Sequence, residues 1–145
     1  MVEITLINGP NLAALGRREP DVYGHETLHE IVSKLSREAS EMGATITSVQ
    51  ADVEGQIVCA VNSAAERGGA LIINPGAFSH SSVAIMDSMS AFPGPVIEVH
   101  ISNIHSREQF RRRLITAAAA DAVISGAGAL GYSLALVLAV NLLRR

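Results

Sequence analysis

"TLHEIVSKLSREASEMGATITSVQA", residues 27–51, changes its periodicity partway along. Leu28, Ile31, Val32, Leu35, Ala39 and Met42 recur at the three- and four-residue spacing that lines one face of an α-helix. Thr27 and Glu30 form a capping box at its start, and Gly43 stops it. Directly after the glycine, "TITSVQA" at 45–51 is β-branched and reads as a strand. A helix passed straight to a strand through one glycine is the repeating unit of an α/β protein.

The same alternation extends in both directions. "VEITLIN" (2–8), "ALIIN" (70–74), "PVIEVHI" (95–101) and "DAVIS" (121–125) read as further strands, each followed by helical spacing; "SREQFRRRL" is expected to be the fourth helix. Five strands and five helices predict a doubly wound five-stranded parallel sheet of flavodoxin-like order 2-1-3-4-5. With no internal repeat and no linker, residues 1–145 read as one domain. The chain is 48% hydrophobic but only 3% aromatic, so its core must be aliphatic, as in parallel strands covered by helices. A net charge of −3 argues against a nucleic-acid partner. The start "MVEITLIN" carries an acid where a leader peptide carries basic residues. The apolar run Tyr132 to Val140 falls short of the ~18 residues a membrane span needs, so a cytoplasmic protein is expected. Cys59, the single cysteine, lies in "QIVCAV" and is expected to be a buried small hydrophobe.

In an open parallel sheet, ligands sit outside the carboxyl ends of the strands where strand order reverses. Asn8 and Asn11 follow the first strand, Asn74 ends the third, and His100 with Ser102 ends the fourth. The loop "REPDVYG" (18–24) leaves this same edge. Its Tyr23 sits between Pro20 and Gly24, which punctuate loops, so packing of a helix or strand does not account for the phenol.

Other motifs carry less. "GAGALG" (126–131) has the spacing of a dinucleotide fingerprint but lacks a following strand and the acid that would hold a ribose, so close helix-to-strand packing is the better reading. The five histidines are not grouped with cysteines or carboxylates as metal ligands are. Glu98 and His100, two apart on a strand, share a face, and a carboxylate so placed could orient the imidazole and hold it protonated as a general acid; a surface ion pair is the alternative. "NPGAFSHSS" (74–82) leads into a helix whose first amides could meet an anion or hydroxyls. Capping explains its serines equally well, but not His80. Among Arg111, Arg112 and Arg113, a solvated run by default, one could turn inward to a carboxylate. Lys34, the only lysine, falls outside the apolar stripe and should face solvent, which leaves Schiff-base chemistry without a nucleophile. A phenol beside arginines, a carboxylate-backed histidine, amides and hydroxyls suit proton abstraction α to a carbonyl on a small polar anion.

"NGPNL", "GRREPDVYG", "NPGAFSHSS" and "EVHISNIHSREQFR" together resemble type II 3-dehydroquinate dehydratase, in that family's order and spacing over nearly the whole chain. The resemblance implies a flavodoxin-like fold, a dodecamer of four trimers, no cofactor, and anti elimination of water from 3-dehydroquinate through an enolate. By position it implies Tyr23 as the base, His100 as the acid with Glu98 as its partner, Arg18 as the arginine that helps ionise Tyr23, and Asn11 as the group that steadies the enolate. Asn74, His80, Arg111 and the backbone of Ile101 and Ser102 match substrate-binding positions, and Asp87 matches an aspartate supplied by an adjacent subunit. A phenol ordinarily loses its proton near pH 10, so a second positive group, Arg111 or Arg17, is expected to act with Arg18. The chain departs from the family pattern at "RLITAA" (113–118), where His-Ser-Tyr and then Ser-Pro are usual, and at Met86, where an arginine is common. These departures leave open a slow enzyme, one serving quinate catabolism, or a regulatory paralogue. A flavodoxin-like module binding a small anion or flavin would need a Ser/Thr/Gly-rich first loop, and "NGPNLAALGRRE" is a poor one.

Overall fold

Alternating apolar residues build a sheet that is buried on both faces. The structure, a computed structural model, describes residues 1–145. In chain order its elements are β1 (Val2–Asn8), the one-turn α1 (Pro20–Tyr23), α2 (Leu28–Glu41), β2 (Ala44–Gln50), α3 (Glu54–Arg67), β3 (Ala70–Asn74), α4 (Val83–Ser90), β4 (Val96–His100), β5 (Ala122–Ser125) and α5 (Leu130–Leu143). All strand pairs are parallel and the order is β2-β1-β3-β4-β5, as the alternation predicted. The first and third strands have the predicted bounds; the second and fourth differ by one residue at both ends and the fifth by one residue at its start.

Ile4, Leu6, Ile72, Ile97 and Val99 point to one side and pack with α2 and α5; Ile7, Leu71, Ile73 and Val96 point to the other and pack with α3 and α4. Burying each such side chain contributes about 1.5–3 kcal/mol. β1 lies between β2 and β3, so the chain leaves β1 one way and returns across it the other, which puts the switch point beside Asn8 and Asn74, partners in register. α2 starts as read: the Thr27 hydroxyl accepts the Glu30 amide at 3.2 Å, and Gly43 takes the left-handed conformation that ends the helix (φ 73°).

Three expectations fail. "SREQFRRRL" forms no α-helix: between β4 and β5 the chain makes three short 3-10 turns, at Ile104–Ser106, Gln109–Arg111 and Thr116–Ala119. The segment has no apolar stripe to bury, and its polar side chains are used individually. Cys59 is exposed. α3 buries Ile57, Val61 and Ala64, and a residue two places from Ile57 lies off that stripe. Asn8 does not reach the ligand edge; it is buried, and its Oδ1 accepts the Tyr132 hydroxyl at 2.6 Å.

The glycines of "GAGALG" serve packing. The Gly126 and Gly128 amides are spent on the His100 and Ile101 carbonyls, at 3.2 and 3.0 Å. At Gly126, whose φ is 88°, a Cβ would sit 3.0 Å from the Cβ of Asn103, so the turn after β5 passes close against the segment that follows β4. No helix is long and apolar enough to cross a membrane.

Candidate active site

At the carboxyl edge of β1, β3 and β4 lies a cleft of about 240 Å³, and nine of the side chains and backbone groups singled out in the sequence line it: Asn11, Arg18, Tyr23, Asn74, His80, His100, Ile101, Ser102 and Arg111. The first wall is the segment after β1. Asn11 has left-handed backbone (φ 69°), and its amide donates to Asp52 Oδ1 at 2.9 Å, which ties this loop to the one after β2. Pro20 opens α1 and Gly24 ends it, so the supposed loop is one helical turn, too short to show periodicity. Glu19, just before it, has φ 39°, a strained value for a residue with a side chain. That turn presents Tyr23 to the cleft.

Two guanidiniums lie over the Tyr23 ring, Arg18 at 5.0 Å and Arg107 at 5.2 Å from its centroid. Arg107 Nη1 also donates to the phenol oxygen at 2.7 Å. The second positive group is therefore Arg107 and not Arg111 or Arg17. Arg111 lines the cleft, but its Nε donates to Glu108 at 2.7 Å; the Glu108 carboxyl is held below its usual range first by a hydrogen bond to its own backbone amide and then by Arg111. Arg17 is exposed and lies outside the lining.

The opposite wall rises from the sheet. Glu98 and His100 share a face of β4, as period two requires, and His100 Nε2 meets Glu98 Oε2 at 2.8 Å. Glu98 is fully buried and His100 nearly so, which rules out a surface ion pair. The other carboxylate oxygen of Glu98 accepts the Thr116 hydroxyl. Engaging Nε2 with Glu98 leaves Nδ1 of His100 for a ligand. At His80 the Arg113 carbonyl, which can only accept, lies 2.8 Å from Nδ1, so Nδ1 carries a proton and Nε2 is left for a ligand. Asn74 is held by its neighbours: its Nδ2 donates to Tyr132 Oη at 3.0 Å, and its Oδ1 accepts the Gly76 amide at 3.1 Å.

Burial pushes the Tyr132 hydroxyl far above the ordinary phenol value, against a smaller downward pull from Asn74. Tyr132 therefore stays neutral at any working pH, and of the two tyrosines only Tyr23 is available as a base. An acid harder to ionise folded than unfolded costs stability once the unfolded chain begins to release its proton, here above about pH 10. Tyr132→Phe is expected to be about 1–3 kcal/mol less stable at pH 7, because Asn8 and Asn74 lose their partner, yet to lose less on going from pH 9 to pH 11. Denaturant titrations at the three pH values check this, and parallel alkaline losses in the two proteins would contradict it.

No three of His, Cys, Asp and Glu converge as metal ligands do. The sequence model of the family Dehydroquinase class II matches residues 2–140. The chain belongs to that family. It is 46% identical over 132 residues to a 3-dehydroquinate dehydratase of Cereibacter sphaeroides, covering 91% of this chain and 90% of the relative. To that of Pelotomaculum thermopropionicum it is 48% identical over 135 residues, covering 93% and 94%. The crystal structure of a type II dehydroquinase from Propionibacterium acnes superposes with a TM-score of 0.94 at 38% identity, covering 97% of both chains.

Within this class II dehydroquinase chain, two of the expected site residues lie outside the cleft lining. Glu98 stands behind His100 as its partner, and Asp87 is exposed on α4. Two residues that touch the site were not singled out. Arg107 was concealed by the helical reading of its segment, although any arginine just after β4 falls at the ligand edge. Thr116 was concealed within "RLITAA", where nothing local marks a threonine that bonds to a strand 18 residues back.

Proposed function

We propose that this chain dehydrates 3-dehydroquinate to 3-dehydroshikimate by anti elimination, with Tyr23 as base and His100 as acid. The observation that carries the proposal is the Tyr23 oxygen held by Arg107 at 2.7 Å, under two guanidiniums, in a cleft whose far wall is the Glu98–His100 pair. The Arg107 N–H and the two guanidiniums thus place a hydrogen-bond donor and positive charge at the oxygen that is to remove a proton. That oxygen takes the C2 proton, α to the C3 carbonyl, and the electron pair moves to the carbonyl oxygen to form an enolate. Asn11 steadies the enolate. Collapse of the enolate breaks the C1–O bond, and His100, entering as an imidazolium with Glu98 as counter-ion, protonates the leaving hydroxyl to water. Return of the proton from Tyr23 to His100 through solvent restores both groups.

Asn74, His80 and Arg111 bind ring hydroxyls, and the Ile101 and Ser102 amides bind the carboxylate or its neighbours. The only lysine, Lys34, is exposed beside Glu38 and outside the cleft, so no amine is at hand for a Schiff base. Mixing the purified protein with 3-dehydroquinate tests the proposal: absorbance of the conjugated enone is expected to rise, and its absence at micromolar enzyme would refute the activity.

The exposed position of Asp87 supports a further part of the reading, that it completes a neighbour's cleft in a dodecamer built from trimers. Sedimentation is expected to find that oligomer. A fully active monomer would refute the shared site.

A further inference from the structure

We infer that Thr116 is a positioning residue for the acid of this site, holding Glu98 so that its other oxygen meets His100. The inference rests on the role proposed above for His100. Glu98 is fully buried on β4, where a carboxylate oxygen without a donor is costly. His100 satisfies Oε2, and the hydroxyl of Thr116, itself fully buried, satisfies Oε1. No other side chain donates to this carboxylate, so the hydroxyl sets the carboxylate plane.

The backbone around Thr116 is fixed from both sides. Before it, the Ile115 amide donates to the Ser79 carbonyl at 2.7 Å and the Arg113 carbonyl meets His80 Nδ1. After it, the Asp121 amide donates to the Val96 carbonyl at 2.7 Å, and Asp121 Oδ2 accepts the Val96 amide at 2.7 Å. The hydroxyl thus reaches Glu98 from a frame attached to the site wall and to β4. By donating to Oε1, Thr116 fixes the rotation of the carboxyl group and so holds Oε2 on the ring nitrogen of His100, as an outer partner orients the group that acts. The stretch that departs from the family pattern supplies this contact, so the departure does not by itself mark a dead site.

Thr116→Val removes the hydroxyl at nearly constant shape, and Thr116→Ser keeps it. Thr116→Val is expected to lower kcat about 10-fold or more with KM changed less than about threefold, while Thr116→Ser stays within about threefold of the parent. In Glu98→Gln, adding Thr116→Val should cost little more, because the two act through one contact. A readout independent of turnover is the low-field ring N–H proton resonance of His100, expected in the parent and Thr116→Ser and displaced or lost in Thr116→Val. Should Thr116→Val not fold, Thr116→Ala takes its place in each comparison. An unchanged kcat, an equal loss in the valine and serine variants, or an unmoved His100 resonance would overturn the inference. If the parent itself has no turnover, the functional reading fails and the resonance alone decides the role of Thr116.

Discussion

Tyr23→Phe is expected to lose about 10³-fold in kcat with its fold unchanged, since a positioned base contributes about 10²–10⁴-fold and no other group in the cleft lies under two guanidiniums. The second tyrosine is sealed in the core with its hydroxyl shared between Asn8 and Asn74. No carboxylate lines the cleft, and His80, although its Nε2 is open, has neither of the two guanidiniums that lie over the Tyr23 ring. Tyr23 is half-exposed on a one-turn helix, so losing its hydroxyl should leave the melting temperature nearly unchanged. Steady-state kinetics with circular dichroism as the folding control checks both statements. A phenylalanine variant that turns over within tenfold of the parent would place the base elsewhere.

Tyr23 could be singled out from sequence because the residues around it offered no packing reason for a phenol. The fold was legible for a related reason: strands and helices announce themselves by apolar periodicity, and every true helix here except α1 buries a stripe. "SREQFRRRL" defeated the same method, because irregular turns are stabilised by separate polar contacts that have no period. Arg107 sits in that segment, bonded to a residue 84 positions away, and no local rule pairs the two. Cys59 failed in the opposite direction, since an apolar run does not say which face of a helix each member occupies. The Glu98–His100 pair was legible because period two on a strand puts both side chains on one face. The Thr116 contact to the same carboxylate depended on tertiary structure.

Replacing His100 has the second large effect, and the structure dictates which replacement is informative. His100→Ala would leave Glu98 buried without its partner, a loss of about 3–5 kcal/mol from a typical total of about 5–15. A dead but partly unfolded protein would then say little about catalysis. His100→Gln retains an N–H that can reach Glu98 and removes only the ability to deliver a proton. It is expected to fold, to keep KM within a few-fold, and to lose about 10²–10⁴-fold in kcat. Measuring kcat and KM separately, with a thermal melt, checks this. A loss confined to KM would make His100 a binding residue and Glu98 its structural support.

In the proposed reaction base and acid act from different walls of the cleft, Tyr23 on α1 and His100 at the end of β4, so that proton and hydroxyl leave opposite faces of the substrate. 3-Dehydroquinate labelled with deuterium at one or the other C2 position, converted by the parent protein and weighed as product, tests it most directly. The deuterium anti to the C1 hydroxyl should be lost to solvent, and the syn deuterium should remain in the product. Loss of the syn label, or equal loss of both, would rule out anti elimination between these two walls.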